Sequence, residues 1–169
     1  MSEARTGGTM PTINTPASGH HGPAPIPGGH QYLPYTDPHF LSVLRSAIFV
    51  IRARITAHRA CNDAFRALPG GRTLAQVFQD PSVWINFDPS RHGGDFGATR
   101  GKDVTITAYS LAMGRWTAAA TLVHEMAHVN GASGATHDAE ATLRQCLLQN
   151  LEDPTIIGQI VRSSSFRVA

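Results

Sequence analysis

The feature that most constrains this chain is the segment 117–131, in which two histidines lie four residues apart. Alanine and other apolar residues precede the first histidine, which favours a helix. Gly131 is typical of the residue that ends a helix. Residues four apart on an α-helix share a face, so the imidazoles of His124 and His128 are expected side by side. The segment therefore predicts a helix that presents two imidazoles to one point.

These two histidines, with Glu125 after the first, form the HExxH pattern. Imidazole nitrogens are strong zinc ligands, and a carboxylate beside the ion can take a proton from water that the ion holds. The alternative interpretation is a helix with two incidental histidines. We favour Zn²⁺ as the cofactor, with His124 and His128 as metal ligands and Glu125 as the catalytic residue.

A catalytic zinc ion normally has three protein ligands and one open position for water. The third ligand is expected beyond the turn at Gly131, where His137, Asp138 and Glu140 occur together. His137 is preferred, because imidazole binds zinc strongly and this residue stands where the chain returns past the ion. Glu140 is the alternative, whereas Asp138 points elsewhere if a helix has already begun. The predicted ligands are thus His124, His128 and His137.

Composition narrows the class of protein. With 41% hydrophobic and 15% charged residues, the 169-residue chain is typical of a globular protein. A net charge of +2 is too small to predict nucleic-acid binding. No apolar run approaches the length of a membrane span, and no basic segment followed by an apolar stretch opens the chain. We therefore expect no membrane span and no recognisable secretory signal, and the compartment stays unassigned.

The first part of the chain differs in composition from the rest. Residues 1–36 contain six glycines and six prolines, few charges and no apolar periodicity. Such a segment cannot bury enough surface to offset its ordering entropy. We expect a flexible tail or linker over 1–36 and a folded domain over 37–169, with three histidines of the tail solvated: His20, His21 and His30.

Helix signals dominate the next stretch. Asp37-Pro38 predicts a helix start, and apolar residues then recur at helical spacing as far as Leu68. Arginines recur every seven residues on another face, and we expect this face to be solvated rather than to bind phosphate or a membrane: Arg45, Arg52, Arg59 and Arg66. A capping box at Thr73–Gln76 predicts a short helix to about Gln79.

Two strands are predicted, over 83–87 and 103–109, from alternating apolar residues. Between them, 88–102 is expected to be a long polar loop. An amphipathic helix should follow position 137, and a short terminal helix is expected over 155–162. The fold class is α+β, with a small, mostly antiparallel sheet packed on long helices. Cys61 and Cys146 fall in separate helices and are either two buried thiols or one disulfide.

The segment TLVHEMAHVNGASGATHDAE resembles zincin-fold metallopeptidases. His124, Glu125, His128 and Gly131 are similar to the start of the metzincin pattern, but that group has its third histidine where this chain has Gly134. Gluzincins take a glutamate from the following helix, as Glu140 would be. Aspzincins use an aspartate, as Asp138 would be. The resemblance covers roughly 104–146 and is specific for zincins, not for a subgroup. It implies a minimal zincin-like metallopeptidase domain over 37–169.

The resemblance implies hydrolysis of a peptide or protein substrate. Glu125 would take a proton from the attacking water and pass it to the leaving amine. A further donor would stabilise the oxyanion, with Tyr109, His92 and Arg91 as candidates. The strand 103–109 is a candidate edge for pairing with an extended peptide.

The chain also looks like metallopeptidase domains at the ends of bacterial secreted toxins and effectors. That likeness implies a larger secreted protein and a partner inhibitor or immunity protein. Three alternatives to a peptidase stay open. The first is a zinc amidase acting on peptidoglycan or another non-protein amide. The second is a binding module with structural zinc, and the third is an effector that uses the zinc domain only to bind a partner.

Overall fold

The computed structural model describes residues 9–146 and 148. Over these residues the protein is α+β, with six α-helices and a four-stranded mixed sheet. The helices are α1 Pro38–Val50, α2 Arg59–Ala67, α3 Leu74–Phe78, α4 Ala108–Ala112, α5 Arg115–Val129 and α6 Asp138–Gln145. The strands are β1 Thr12–Ile13, β2 Trp84–Asp88, β3 Gly97–Arg100 and β4 Asp103–Thr107. The helix expected over 155–162 lies outside the described residues.

The sheet has the strand order β1-β2-β4-β3. β1 and β2 pair in parallel, as do β2 and β4, and only β3 pairs antiparallel with β4. The expectation of a mostly antiparallel sheet was therefore wrong. The reason is a strand within the segment 88–102, which was expected to be a loop. β3 runs back and turns at Gly101, whose φ is 65°, so β4 enters between β2 and β3 in the direction of β2.

The core lies between the sheet and helices α1 and α5. α5 packs against α1, α3, α4 and α6 as well as against β3 and β4. Most of its residues are buried, including the alanines that precede the first histidine. Val104 and Ile106 of β4 and Ile85 of β2 are fully buried in the same cluster. None of the helices in the described part of the chain is long and apolar enough to cross a bilayer.

The helix that starts at Asp37 is interrupted. Asp37 caps α1 by accepting a hydrogen bond from His39 N at 2.8 Å. After α1 the chain widens into a π-helical turn, Ile51–Ile55, and α2 begins only after His58. The expected apolar stripe is buried: Phe40, Leu44, Ile48, Ile51, Ile55, Phe65 and Leu68. The four arginines at seven-residue spacing are all exposed, as expected for a solvated face.

The segment 9–36 was expected to be part of a flexible tail, yet its described residues pack on the domain. β1 adds to the sheet, and Asn14 Nδ2 donates a hydrogen bond to Asn86 Oδ1 at 2.8 Å. His20 stacks on Trp84, with ring centroids 3.9 Å apart, and its Nε2 lies 2.6 Å from Asp103 Oδ1. The segment has too few apolar residues to offset its ordering entropy by burial. Hydrogen bonds to the sheet and ring stacking offset this entropy instead.

Cys61 and Cys146 form a disulfide that joins α2 to the end of α6. The two residues are 85 positions apart in the sequence, and crosslinking a loop of that size restricts the unfolded chain strongly. The structure thus decides between the two interpretations left open by the sequence.

We expect the double variant Cys61→Ala/Cys146→Ala to lose about 4 kcal/mol of unfolding free energy. Urea denaturation followed by circular dichroism measures this loss. Reduction of the wild-type protein should lower its midpoint similarly and should leave the double variant unchanged. Equal midpoints for oxidised and reduced wild type would contradict the disulfide.

Asp80 connects the turn before β2 with the β3–β4 hairpin. It accepts hydrogen bonds from Ser82 N at 3.0 Å, from Arg72 Nη1 at 3.0 Å and from Lys102 Nζ at 3.1 Å. The hydrogen bonds from Ser82, followed by those from Lys102 and Arg72, hold the pKa of the Asp80 carboxyl well below its usual range. Because the folded pKa is depressed, the stabilisation is present above the unfolded pKa and is lost as the pH falls through the folded value.

Asp80→Asn should therefore cost about 1–3 kcal/mol near pH 7. The difference from wild type should shrink as the pH is lowered below about 4, where the carboxyl of the unfolded chain is protonated. Thermal melts of both proteins across this range measure the effect. A difference that is independent of pH would refute the role given to the carboxylate charge.

Candidate metal centre

α5 carries the three residues of the motif, and the turn that follows it shapes the site. Gly131 has φ 92°, a left-handed conformation that side chains other than glycine rarely adopt. This turn brings the backbone back to α5, so that His128 Nδ1 donates a hydrogen bond to Ala132 O at 2.9 Å. A carbonyl can only accept, so Nδ1 carries the proton and Nε2 of the neutral ring keeps its lone pair. The turn thus presents His128 in the tautomer that binds metal through Nε2.

The two imidazoles of α5 converge through the same atom type. His124 Nε2 and His128 Nε2 are 3.2 Å apart. Two nitrogens that lie about 2.0–2.1 Å from one tetrahedral zinc ion would be roughly 3.3 Å apart. The observed separation therefore matches the edge of a zinc coordination tetrahedron.

Glu140 of α6 faces this pair. Its Oε1 lies 3.9 Å from His124 Nε2. Its Oε2 is buried and has no hydrogen-bond partner within the described structure. An unsatisfied buried carboxylate oxygen is costly, which makes Glu140 a candidate cation ligand. A cation bound by the two histidines would lie near Glu140 Oε1, the carboxylate oxygen that is 3.9 Å from His124 Nε2.

His137 and Asp138, the other two candidates from the sequence, are more exposed. The His137 side chain is 82% exposed, and its Nδ1 lies 3.8 Å from Glu140 Oε2. Asp138 is exposed and accepts a hydrogen bond from Thr136 Oγ1 at 2.6 Å. Glu140 lies in the same first turn of α6, but its side chain is only 12% exposed. The structure thus places Glu140 beside His124, whereas His137 stands at the exposed start of α6.

Across residues 9–146 and 148, the His, Cys, Asp and Glu side chains do not form a ready-made group of three or more that could hold a metal ion. The histidine pair is already at ligand spacing, but Glu140 Oε1 is 3.9 Å from His124 Nε2. The Glu140 carboxylate would have to lie closer to the histidine pair to complete a tetrahedral site. The donor set, two imidazoles and a carboxylate, is of the type that catalytic zinc takes.

Glu125 is almost completely buried, with 4% of the residue exposed. Thr99 Oγ1 of β3 donates a hydrogen bond to Glu125 Oε2 at 2.7 Å. Burial raises the pKa of Glu125 to about 7, and the hydrogen bond from Thr99 opposes this rise. A buried carboxyl with a raised pKa is typical of functional sites.

The motif residues open onto a cleft of about 600 Å³. Besides His124, Glu125 and His128, small residues line it, among them Gly97 and Thr99 of β3 and the post-α5 residues Ala132 and Gly134. β3 forms the edge of the sheet, and β4 lies inside it. The expectation that 103–109 provides the edge for a substrate was therefore wrong, because β3 covers that side of β4.

The three residues considered for oxyanion stabilisation make their contacts outside the cleft that contains the histidine pair. Arg91 and His92 line a different cavity of about 520 Å³, together with His30. Tyr109 packs on Phe96, with ring centroids 5.4 Å apart. None of the three is among the residues that line the cleft at the motif, within the described part of the chain. The oxyanion donor stays unassigned.

The contacts of Thr99 and His30 were not expected from the sequence. Thr99 lies in a glycine-rich stretch that was interpreted as a loop. His30 was assigned to the tail, but its Nδ1 lies 2.8 Å from Asp88 Oδ2 and its Nε2 lies 3.1 Å from Asp95 Oδ1. Neither contact leaves a local sequence signal, because both partners are distant in the chain.

Comparison of the chain with protein-family models, with curated proteins and with solved structures gives no match. Any statement about function therefore depends on the side chains of this site.

Proposed function

We propose that the protein is a zincin-type, zinc-dependent metallopeptidase, with His124, His128 and Glu140 as metal ligands and Glu125 as the catalytic residue. The observation that carries the proposal is the convergence of His124 Nε2 and His128 Nε2 to 3.2 Å beside a buried glutamate. Because a separation of 3.2 Å also fits a hydrogen bond between two imidazoles, the proposal depends equally on the buried Glu125 and on the Glu140 carboxylate near His124.

Glu140 replaces His137 as the preferred third ligand in this proposal. Its carboxylate is 12% exposed and lies 3.9 Å from His124, while the His137 side chain is 82% exposed. His137 Nδ1 lies 3.8 Å from Glu140 Oε2, which is too long for a hydrogen bond, so His137 has no ligand role in this proposal.

When bound, zinc would supply a Lewis acid that polarises the scissile carbonyl and makes water more acidic. The residues of the chain perform the proton transfers. Glu125 accepts a proton from the attacking water at its carboxylate and delivers it to the nitrogen of the leaving amine. The hydrogen bond from His128 Nδ1 to Ala132 O keeps His128 in one orientation throughout.

β3 is the element best placed to bind an extended peptide. It is the edge strand of the sheet, and both Gly97 and Thr99 line the cleft. An extended peptide added at this edge would lie along the cleft, with its backbone hydrogen-bonded to β3. This arrangement favours a peptide over a compact amide substrate.

The test is digestion of a diverse peptide library by the zinc-reconstituted protein, followed by mass spectrometry. We expect cleavage that stops when a chelator removes zinc and returns when zinc is restored. Cleavage that persists without metal would contradict the proposal. Release of fragments from isolated peptidoglycan without any peptide cleavage would favour the zinc amidase instead. Binding of zinc without hydrolysis of either substrate would favour a binding module.

A further inference from the structure

Thr99 connects the edge strand β3 to α5, the helix that carries Glu125. Its Oγ1 donates to Glu125 Oε2 at 2.7 Å and lies 3.1 Å from Glu125 O. A hydroxyl that donates to one carboxylate oxygen fixes the rotation of that carboxylate and leaves the other oxygen for proton transfer.

Gly97 gives the carboxylate room on the same strand. A Cβ at this position would lie 3.2 Å from Glu125 Oε1, 2.9 Å from Thr121 Cγ2 and 2.7 Å from Thr105 O. A side chain at Gly97 would therefore displace either the strand or the glutamate. β3 thus donates a hydrogen bond to Glu125 Oε2 through the Thr99 hydroxyl and leaves space for Oε1 at Gly97.

The backbone N–H and C=O groups of Thr99 lie in the plane of the sheet, perpendicular to its side chain. In an antiparallel pair, hydrogen-bonded residues alternate with residues whose backbone groups point away from the partner strand. Thr107 N donates to Phe96 O at 3.0 Å, so the alternation directs the backbone groups of Gly97 and Thr99 away from β4. These groups point to the free edge, where an extended peptide would pair.

We propose that Thr99 is a positioning residue that aligns Glu125 with a peptide bound along β3. This inference rests on the proposed function. The Thr99 side chain donates a hydrogen bond to Glu125, and the Thr99 backbone faces the edge of β3 where the peptide would pair. Thr99 alone therefore sets the distance between the Glu125 carboxylate and the scissile bond. Loss of the hydroxyl should slow the chemical step and leave substrate pairing intact.

The test compares Thr99→Val, Thr99→Ser and Thr105→Val. Valine keeps the shape and strand preference of threonine but removes the hydroxyl, whereas serine keeps the hydroxyl. Thr105 is the matched control, because its buried hydroxyl donates to Gln31 O at 2.8 Å on the other face of the sheet. Each variant is assayed for kcat, KM and zinc content. Crystal structures of zinc-free wild type and Thr99→Val are also compared for the orientation of Glu125.

We expect Thr99→Val to lower kcat about 10- to 100-fold, since a small misplacement of a catalytic group has effects of that size. KM and zinc content should be unchanged, and Thr99→Ser and Thr105→Val should retain kcat within about threefold of wild type. In Thr99→Val crystals the Glu125 carboxylate should leave its wild-type position. Wild-type kcat in Thr99→Val, an equal loss in Thr99→Ser, or an unmoved carboxylate would overturn the proposal. An inactive wild type would instead refute the peptidase function, and the crystal structures would still test whether Thr99 orients Glu125.

Discussion

Replacement of Glu125 with glutamine is expected to lower kcat by about 10²- to 10⁴-fold, the range that a general acid–base group contributes. Glutamine keeps the size of the side chain and can still accept the hydrogen bond from Thr99, but it cannot take a proton from water. Because Glu125 is not one of the proposed ligands, zinc content should stay at the wild-type level. Steady-state kinetics and elemental analysis of the same preparations measure both quantities.

The same variant has an expected effect on the stability of the metal-free protein. Burial raises the pKa of Glu125 to about 7, above the value of 4.5 for an unperturbed glutamate. Between these values the folded state binds more protons than the unfolded state, so stability falls as the pH rises. We expect metal-free wild type to lose about 3 kcal/mol relative to Glu125→Gln from pH 4 to pH 8.

Asp138→Asn is the matched control, since it neutralises an exposed carboxylate at the start of α6. It should change neither kcat nor the pH dependence of stability. A Glu125→Gln protein that hydrolyses peptides at the wild-type rate would remove Glu125 from the mechanism. If the unfolding free energies of wild type and Glu125→Gln changed equally with pH, the raised pKa of the buried Glu125 carboxyl would be contradicted.

The second large effect is expected at Glu140. Glu140→Ala should weaken zinc binding by more than about 100-fold. Loss of a residue that only hydrogen-bonds a metal ligand weakens metal binding by up to about 100-fold, so the loss of a ligand should exceed that value. His137→Ala should weaken it by less than about tenfold, the lower end of the same range. Competition with a chelator of known affinity measures the dissociation constants of both variants. The reverse order, with zinc lost in His137→Ala and kept in Glu140→Ala, would restore His137 as the third ligand.

Features fixed by neighbouring residues were predictable from the sequence. The caps at Asp37 and Thr73 depend on side chains within three positions of the backbone groups they bind. Likewise, the convergence of His124 and His128 follows from helical periodicity alone. These predictions required no knowledge of how distant segments pack.

Features fixed by distant contacts were not predictable. β1 is held by Trp84 and Ile85, far along the chain, so the composition of 1–36 indicated a tail. β3 is short, begins at Gly97 and is stabilised by β4 and α5, so it was interpreted as loop. The preference for His137 over Glu140 reflected the intrinsic affinity of imidazole for zinc. In the packing of α6 on α5, the His137 side chain is 82% exposed and the Glu140 side chain 12% exposed.

The proposed function requires that α5 holds a zinc ion between its two histidines. The most direct measurement is the zinc content of the reconstituted protein by elemental analysis, in wild type and in His124→Ala/His128→Ala. We expect about one zinc ion per chain in wild type and none in the double variant. No zinc in wild type, or the same amount in both proteins, would contradict it.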